Sequence, residues 1–224
     1  FMNGERGRGD YDDLPTLLKR LEAYIALWQN PKTELNHLRC KMLNTCIEAG
    51  CKPKGIYTLT VPTGGGKTVT SLAFALHHAV THGMKRVIYI IPYTSIIEQN
   101  AEVFRNILGD GNVLEHHSGI EFDLSDGASP EEIRRALASE NWDMPVVVTT
   151  AARFFDSLYA NRSSKCRKLH NLANSVIIFD EAQMLPLCHL RPCVAAMASL
   201  AEYVGSTLVL CAATQPSLSD LLRT

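Results

Sequence analysis

The sequence has 224 residues, 46% of them hydrophobic, and its 22 basic and 23 acidic side chains leave a formal net charge of −1. That is enough chain for one large α/β domain with a full core. The balance gives no long-range attraction for nucleic acid, although local loops can still bind phosphate, and no apolar run approaches the roughly 20 residues of a membrane span.

The opening stretch, FMNGERGRGDYDD, is polar and glycine-rich, with no signal-peptide character. Residues 1–13 therefore read as a disordered or linker segment. Residues 14–29 and 34–49 carry apolar positions at helical spacing, and the second run meets Gly50, a helix-ending residue. Together, 14–52 form a helical lead-in. After Pro53 the pattern changes. Strands are predicted at 55–61, 86–92, 112–117, 145–150, 175–183 and 206–214, and helices at 67–82, 95–108, 129–139, 151–160 and 190–204. The helix from Ser129 has the strongest start signal, a serine followed by proline and two glutamates. Residues 118–129 read as loop. Strands alternate with helices and are apolar on both faces, the signature of a mainly parallel sheet covered on both sides, a three-layer α/β/α domain over 53–224.

Seven cysteines at irregular spacing, with no C-x-x-C pair, argue against a disulfide framework or structural zinc. They fit reduced thiols in a cytoplasmic protein. His78 and His82 lie four apart, as a metal pair on one helix face would, but no third ligand accompanies them. They read as partly exposed helix surface.

VPTGGGKT, residues 61–68, stands between a predicted strand and a predicted helix. Glycines there let backbone N–H groups turn around phosphates at a helix N-terminus. Thr63, Gly64, Gly65, Gly66, Lys67 and Thr68 are the candidate cradle, with Lys67 reaching the β- and γ-phosphates and the Thr68 hydroxyl ligating Mg²⁺. The strict phosphate-loop pattern begins with glycine, and this chain has Val61 there. A second signal, VIIFDEAQ, ends a buried strand with Asp180 and Glu181. In an open parallel sheet such an end lies on the ligand side. Asp180 is the candidate for holding the metal and Glu181 for orienting and deprotonating a water.

With these motifs the chain resembles the superfamily 2 helicases, and more narrowly the CRISPR-associated helicase–nucleases of type I systems. The resemblance rests on VPTGGGKT, IPYTSIIEQNAEVF, LEHHSG, VVVTTAARFFDSL, FDEAQ and LCAATQP in order. It implies a RecA-like P-loop NTPase fold, ATP and Mg²⁺ as cofactors, and a first motor domain alone. It implies single-strand backbone contacts from Tyr93, Thr94 and Ser95 and from Thr149, Thr150 and Arg153. His117 and Ser118 would lie near the nucleic-acid path, and Gln183 and Thr214 would couple hydrolysis to strand movement. Arg39 is the candidate for contacting the nucleotide base. Phe154 and Phe155 read as core. The implied parent activity is ATP-driven 3′-to-5′ translocation on single-stranded DNA, feeding a nuclease in antiviral defence. Its partners would be a second RecA-like domain, an HD nuclease domain and a CRISPR effector complex. The chain contains no His-Asp dipeptide. An RNA helicase, a DNA-repair translocase of the same superfamily, and a non-hydrolysing module that docks a partner are the alternatives.

Overall fold

The computed structural model describes residues 11–28, 31–62, 64–120, 129–160, 167–185 and 189–212. Two helices come first, α1 (Leu14–Ala26) and α2 (Glu34–Gly50), followed by β1 (Ile56–Thr60), α3 (Lys67–Thr81), β2 (Arg86–Ile91) and α4 (Thr94–Leu108). Then come β3 (Val113–His116), α5 (Pro130–Asn141), β4 (Val146–Thr150), α6 (Ala151–Leu158), a single turn α7 (Leu169–Leu172), β5 (Ser175–Phe179), α8 (Leu190–Tyr203) and β6 (Thr207–Ala212).

The six strands form one sheet in the order β1-β6-β5-β2-β4-β3, with every neighbouring pair parallel. β2, β4, β5 and β6 bury both faces, so successive residues feed different cores, while β1 at the end of the sheet is only partly covered. Val87, Tyr89 and Ile91 of β2 join the core formed with α1 to α4, while Ile88 and Ile90 join the one formed with α5 to α8. This is the three-layer arrangement that apolar, non-alternating strands require. The lead-in helices belong to the first of these cores: Leu17 and Leu21 of α1 and Leu43 of α2 pack with Leu72 and Leu76 of α3.

Two differences from the sequence reading have local causes. The run through 175–183 stops as a strand at Phe179, because Glu181 takes a left-handed backbone (φ 47°) and 182–184 form a 3₁₀ turn. Four residues of α7 are too few to give a periodic signal. The start of α5 is as expected: Ser129 and Glu132 form a reciprocal capping box. His78 is not helix surface. α2 covers that side of α3, leaving His78 buried between the Gly50 carbonyl (2.9 Å) and the Thr207 hydroxyl (2.8 Å). With both ring nitrogens so engaged, the metal-pair arrangement with His82 does not form. Among the described cysteines, Cys40, Cys46, Cys51 and Cys211 are free thiols, and burial pushes Cys46 up to about 11. No helix among the described residues is long and apolar enough to cross a membrane.

Candidate nucleotide site and strand-end rim

The glycine loop leaves β1 and enters α3 at the sheet's ligand side. Gly64 and Gly66 both have φ of 78°, a conformation only glycine adopts at low cost. Gly65 is constrained by space: a Cβ there would lie 2.8 Å from Val61 Cγ1 and 2.9 Å from the Pro62 carbonyl oxygen. Val61, the residue that departs from the strict pattern, is buried and fills that room. Gly66 caps α3 without any side-chain hydrogen bond, so the helix N-terminus keeps its amides available. Thr63 lies outside the described residues.

α3 leans across the sheet to pack on β5 and β2. That brings its first residue, Lys67, to the carboxylates beyond β5. Lys67 Nζ lies 2.8 Å from Asp180 Oδ1 and also donates to Glu181 Oε1. Burial works against the lysine charge, but the hydrogen bonds and charges of both carboxylates outweigh it and raise the pKa. Burial likewise opposes ionisation of Glu181, yet hydrogen bonds from Lys67 and Gln183 outweigh it and hold that carboxyl below its ordinary value. Lys67, Thr68 and Glu181 line one cavity of about 400 Å³ with Gly64 and Gly66.

A buried layer holds these groups from below. Tyr89 donates to Asp180 Oδ2 at 3.2 Å and receives a long bond from Ser71. The Glu181 amide donates to Asp180 Oδ1 (2.9 Å). The Thr68 hydroxyl meets Asn100 Oδ1 of α4 at 2.9 Å. Sequence reading missed Tyr89 and Asn100, although both left a trace. Tyr89 is the one hydroxyl in RVIYII, and a buried tyrosine hydroxyl needs a partner. Asn100 falls in helical register with Ile97, Ala101 and Phe104, a polar residue on the buried stripe.

Arg39 of α2 reaches the loop rather than open solvent. Its Nε and Nη2 donate to the Gly64 carbonyl at 2.9 and 2.7 Å, and it lines a neighbouring cavity of about 290 Å³ with Trp28 and Asn36. Gln183 is exposed and donates to Glu181 Oε2. Thr214 lies outside the described residues.

The remaining predicted residues occupy a rim along the ends of β2, β4 and β3. Tyr93, Thr94 and Ser95 are exposed at the start of α4, which has no side-chain cap. Thr149 is buried and donates to the His116 carbonyl (2.8 Å), while the Thr150 hydroxyl accepts from the Arg153 amide and caps α6. Arg153 is partly exposed beside them. Phe154 is core, and Phe155 packs against that core partly buried. Ser118 is exposed and His117 buried.

Glu98, Glu115 and His117 bring possible metal-ligand atoms within 4.8 Å of one another. Their hydrogen bonds do not suit a cation. Glu115 is held by Arg105 (2.6 Å) and by His117 Nε2 (3.0 Å), and His117 Nδ1 accepts from the Gly119 amide (3.1 Å). That places the ring proton on Nε2 and leaves the imidazole no lone pair for a metal. The set is a brace for the LEHHSG turn.

A parallel sheet with a glycine loop after one strand and a carboxylate pair after another, bridged by the loop lysine, defines a RecA-like motor domain. A model of the DEAD/DEAH box helicase family matches residues 44–221, and the chain belongs to that family. It is 30% identical over 150 residues to the CRISPR-associated nuclease/helicase Cas3 of Haloferax volcanii, covering 58% of this chain and 16% of that protein. Among solved structures, T. fusca Cas3 with AMPPNP aligns with a TM-score of 0.65 at 17% identity, over 92% of this chain and 23% of that one. Mss116p bound to single-stranded RNA and AMP-PNP aligns at 0.60 and 15% identity, over 97% and 43% of the two chains. At these identities the structural likeness concerns the fold. The chain spans about a sixth of the curated relative it matches.

Proposed function

We propose that the chain is the ATP-binding half of a 3′-to-5′ single-stranded DNA translocase of the CRISPR-associated nuclease/helicase kind, serving the degradation of invading DNA. The observation that carries this reading is Lys67 bridging Asp180 and Glu181 beside the open N-terminus of α3. In that site the amides after Gly66 and the Lys67 ammonium bind the phosphates. Thr68 and Asp180 offer a hydroxyl and a carboxylate oxygen, donors that suit Mg²⁺, which when bound neutralises phosphate charge. Glu181, kept ionised, orients the attacking water and accepts its proton. Arg39, which holds the Gly64 carbonyl at the edge of the loop, is the residue assigned to the base.

Single-stranded DNA runs along the rim, contacted by the α4 N-terminus, Tyr93 to Ser95, Ser118 and Arg153. The fully buried Thr149 hydroxyl and the capping Thr150 hydroxyl position the rim from within. In such motors a second RecA-like domain closes the cleft and supplies an arginine finger, worth about 10³–10⁵ in rate. The 224 residues alone therefore bind ATP–Mg²⁺ weakly and turn it over negligibly. An HD nuclease domain, an effector complex and a cytoplasmic setting complete the reading.

Titration calorimetry with ATP–Mg²⁺ tests it. Lys67→Ala should weaken binding about 10- to 100-fold, the scale of a charge-assisted hydrogen bond. Equal affinity in the variant removes Lys67 from the site. ATPase stimulation by single-stranded RNA but not DNA, with the second domain supplied, would instead indicate an RNA helicase.

A further inference from the structure

We propose that Asn100 is a positioning residue for the cation, holding the Thr68 hydroxyl so that its lone pairs face the metal. The inference rests on the nucleotide reading of the site. Asn100 is only 7% exposed and sits on α4, while Thr68 is on α3. A buried amide is costly unless both ends are satisfied, and here both are. Nδ2 donates to the Ile96 carbonyl at 3.2 Å, which turns Oδ1 toward Thr68 at 2.9 Å. Oδ1 can only accept, so the hydroxyl must donate.

That direction has a chemical consequence. A hydroxyl has one proton and two lone pairs. With its proton committed to Asn100, both lone pairs are free for a hard cation, which takes oxygen donors. Without the acceptor the hydroxyl rotor is released, and in a share of its orientations the proton points at the metal. Asn100 therefore acts through Thr68 and touches neither phosphate nor metal.

The test uses the full chain with ADP, measured by calorimetry in Mg²⁺ and in EDTA. The ratio of the two affinities reports the metal's contribution. Asn100→Ala should lower the ratio roughly three- to tenfold, the size of one neutral hydrogen bond. If that variant fails to fold, Asn100→Leu, similar in volume and lacking an acceptor, carries the same expectation. Asn100→Asp keeps the acceptor but loses the bond to Ile96, and should retain the ratio. Loss in Asn100→Asp equal to that in Asn100→Ala would indicate a role through Ile96 alone and overturn the proposal.

Because an aspartate also attracts a cation by charge, the pair is repeated in Thr68→Ala. There Asn100→Ala should no longer change the ratio. An unchanged ratio in the single variant, or the same drop with and without the Thr68 hydroxyl, overturns the assignment. Lys67→Ala separates the two levels. If ADP binding survives it undiminished, the nucleotide is not held at the Lys67 loop, and the placement of the site fails and this inference with it. If binding falls there while Asn100→Ala leaves the ratio intact, only Asn100 is removed.

Discussion

The starts of α3 and α6 lie on the same edge of the sheet, yet they are finished in opposite ways. α3 begins after a left-handed glycine with no side-chain cap, and its first residue bridges two carboxylates. α6 begins after Thr150, whose hydroxyl already takes the Arg153 amide. An amide that serves a side chain is not free to serve a phosphate. The open end thus leaves its amides available to a ligand, while the closed end uses one to fix the turn after β4. α4 follows α3, since Tyr93 leaves its N-terminus uncapped. The rim combines one open helix end with one sealed one.

The largest expected effect lies at the open end. Glu181→Gln should reduce ATP hydrolysis about 10²–10⁴-fold when the second motor domain is supplied, as expected for loss of a general base. Single-turnover phosphate release measures it, and an unaltered rate would transfer the role to another group.

Next is the loop's packing. Gly65→Ala would force a Cβ against Val61 and the Pro62 carbonyl, at a cost of about 1–3 kcal/mol. Urea denaturation reads it. Val61→Ala in the same chain should recover part of the loss, because one of the two clashes is with its side chain. Absence of any recovery would show that the backbone contact alone forbids the methyl.

Two buried histidines, one of them beside the sealed end, give a pH signature. Burial holds His116, beside the rim, down to about 3, with Lys168 and Arg153 adding to the effect, and burial holds His78 down to about 4. The unfolded chain protonates both near 6.5. Between that value and the folded ones the unfolded state binds more protons, so stability falls as pH falls. The slope reaches at most about 1.4 kcal/mol per pH unit for each histidine. Denaturation midpoints between pH 7 and 5 measure it, and His116→Gln should flatten the curve by one proton's share.

The smallest effects separate, within the sealed end, the capping hydroxyl from the arginine side chain beside it. Thr150→Ala should cost about 1 kcal/mol of stability through the lost cap, with little change in affinity for a labelled oligonucleotide. Arg153→Ala should do the reverse, flattening the log–log salt slope on single-stranded DNA by about 0.7, one phosphate's worth. Fluorescence anisotropy across a salt series distinguishes them. An Arg153→Ala slope identical to that of the parent chain would make that arginine part of the closed end too.

Much of this was legible beforehand because it is local. The runs that become β2, β4, β5 and β6 are largely apolar and unbroken, so a sheet covered on both sides follows from them, and the VPTGGGKT and FDEAQ stretches carry their chemistry within a few residues. The boundaries that slipped, at Phe179 and over 169–172, depend on a left-handed Glu181 and on a helix one turn long. His78 was misread because nothing in α3 announces that α2 will lie across it.

The sequence by itself determined the fold class, the phosphate loop and the acidic pair, since periodicity and short-range spacing encode them. Only the tertiary structure decided which polar groups serve a ligand and which serve the protein. Lys67 meets Asp180, Thr68 meets Asn100, Tyr89 meets Asp180 and Thr149 meets the His116 carbonyl across separations of 113, 32, 91 and 33 residues. A hydrogen bond between elements far apart in the chain depends on strand order and helix crossing, which no window of sequence contains.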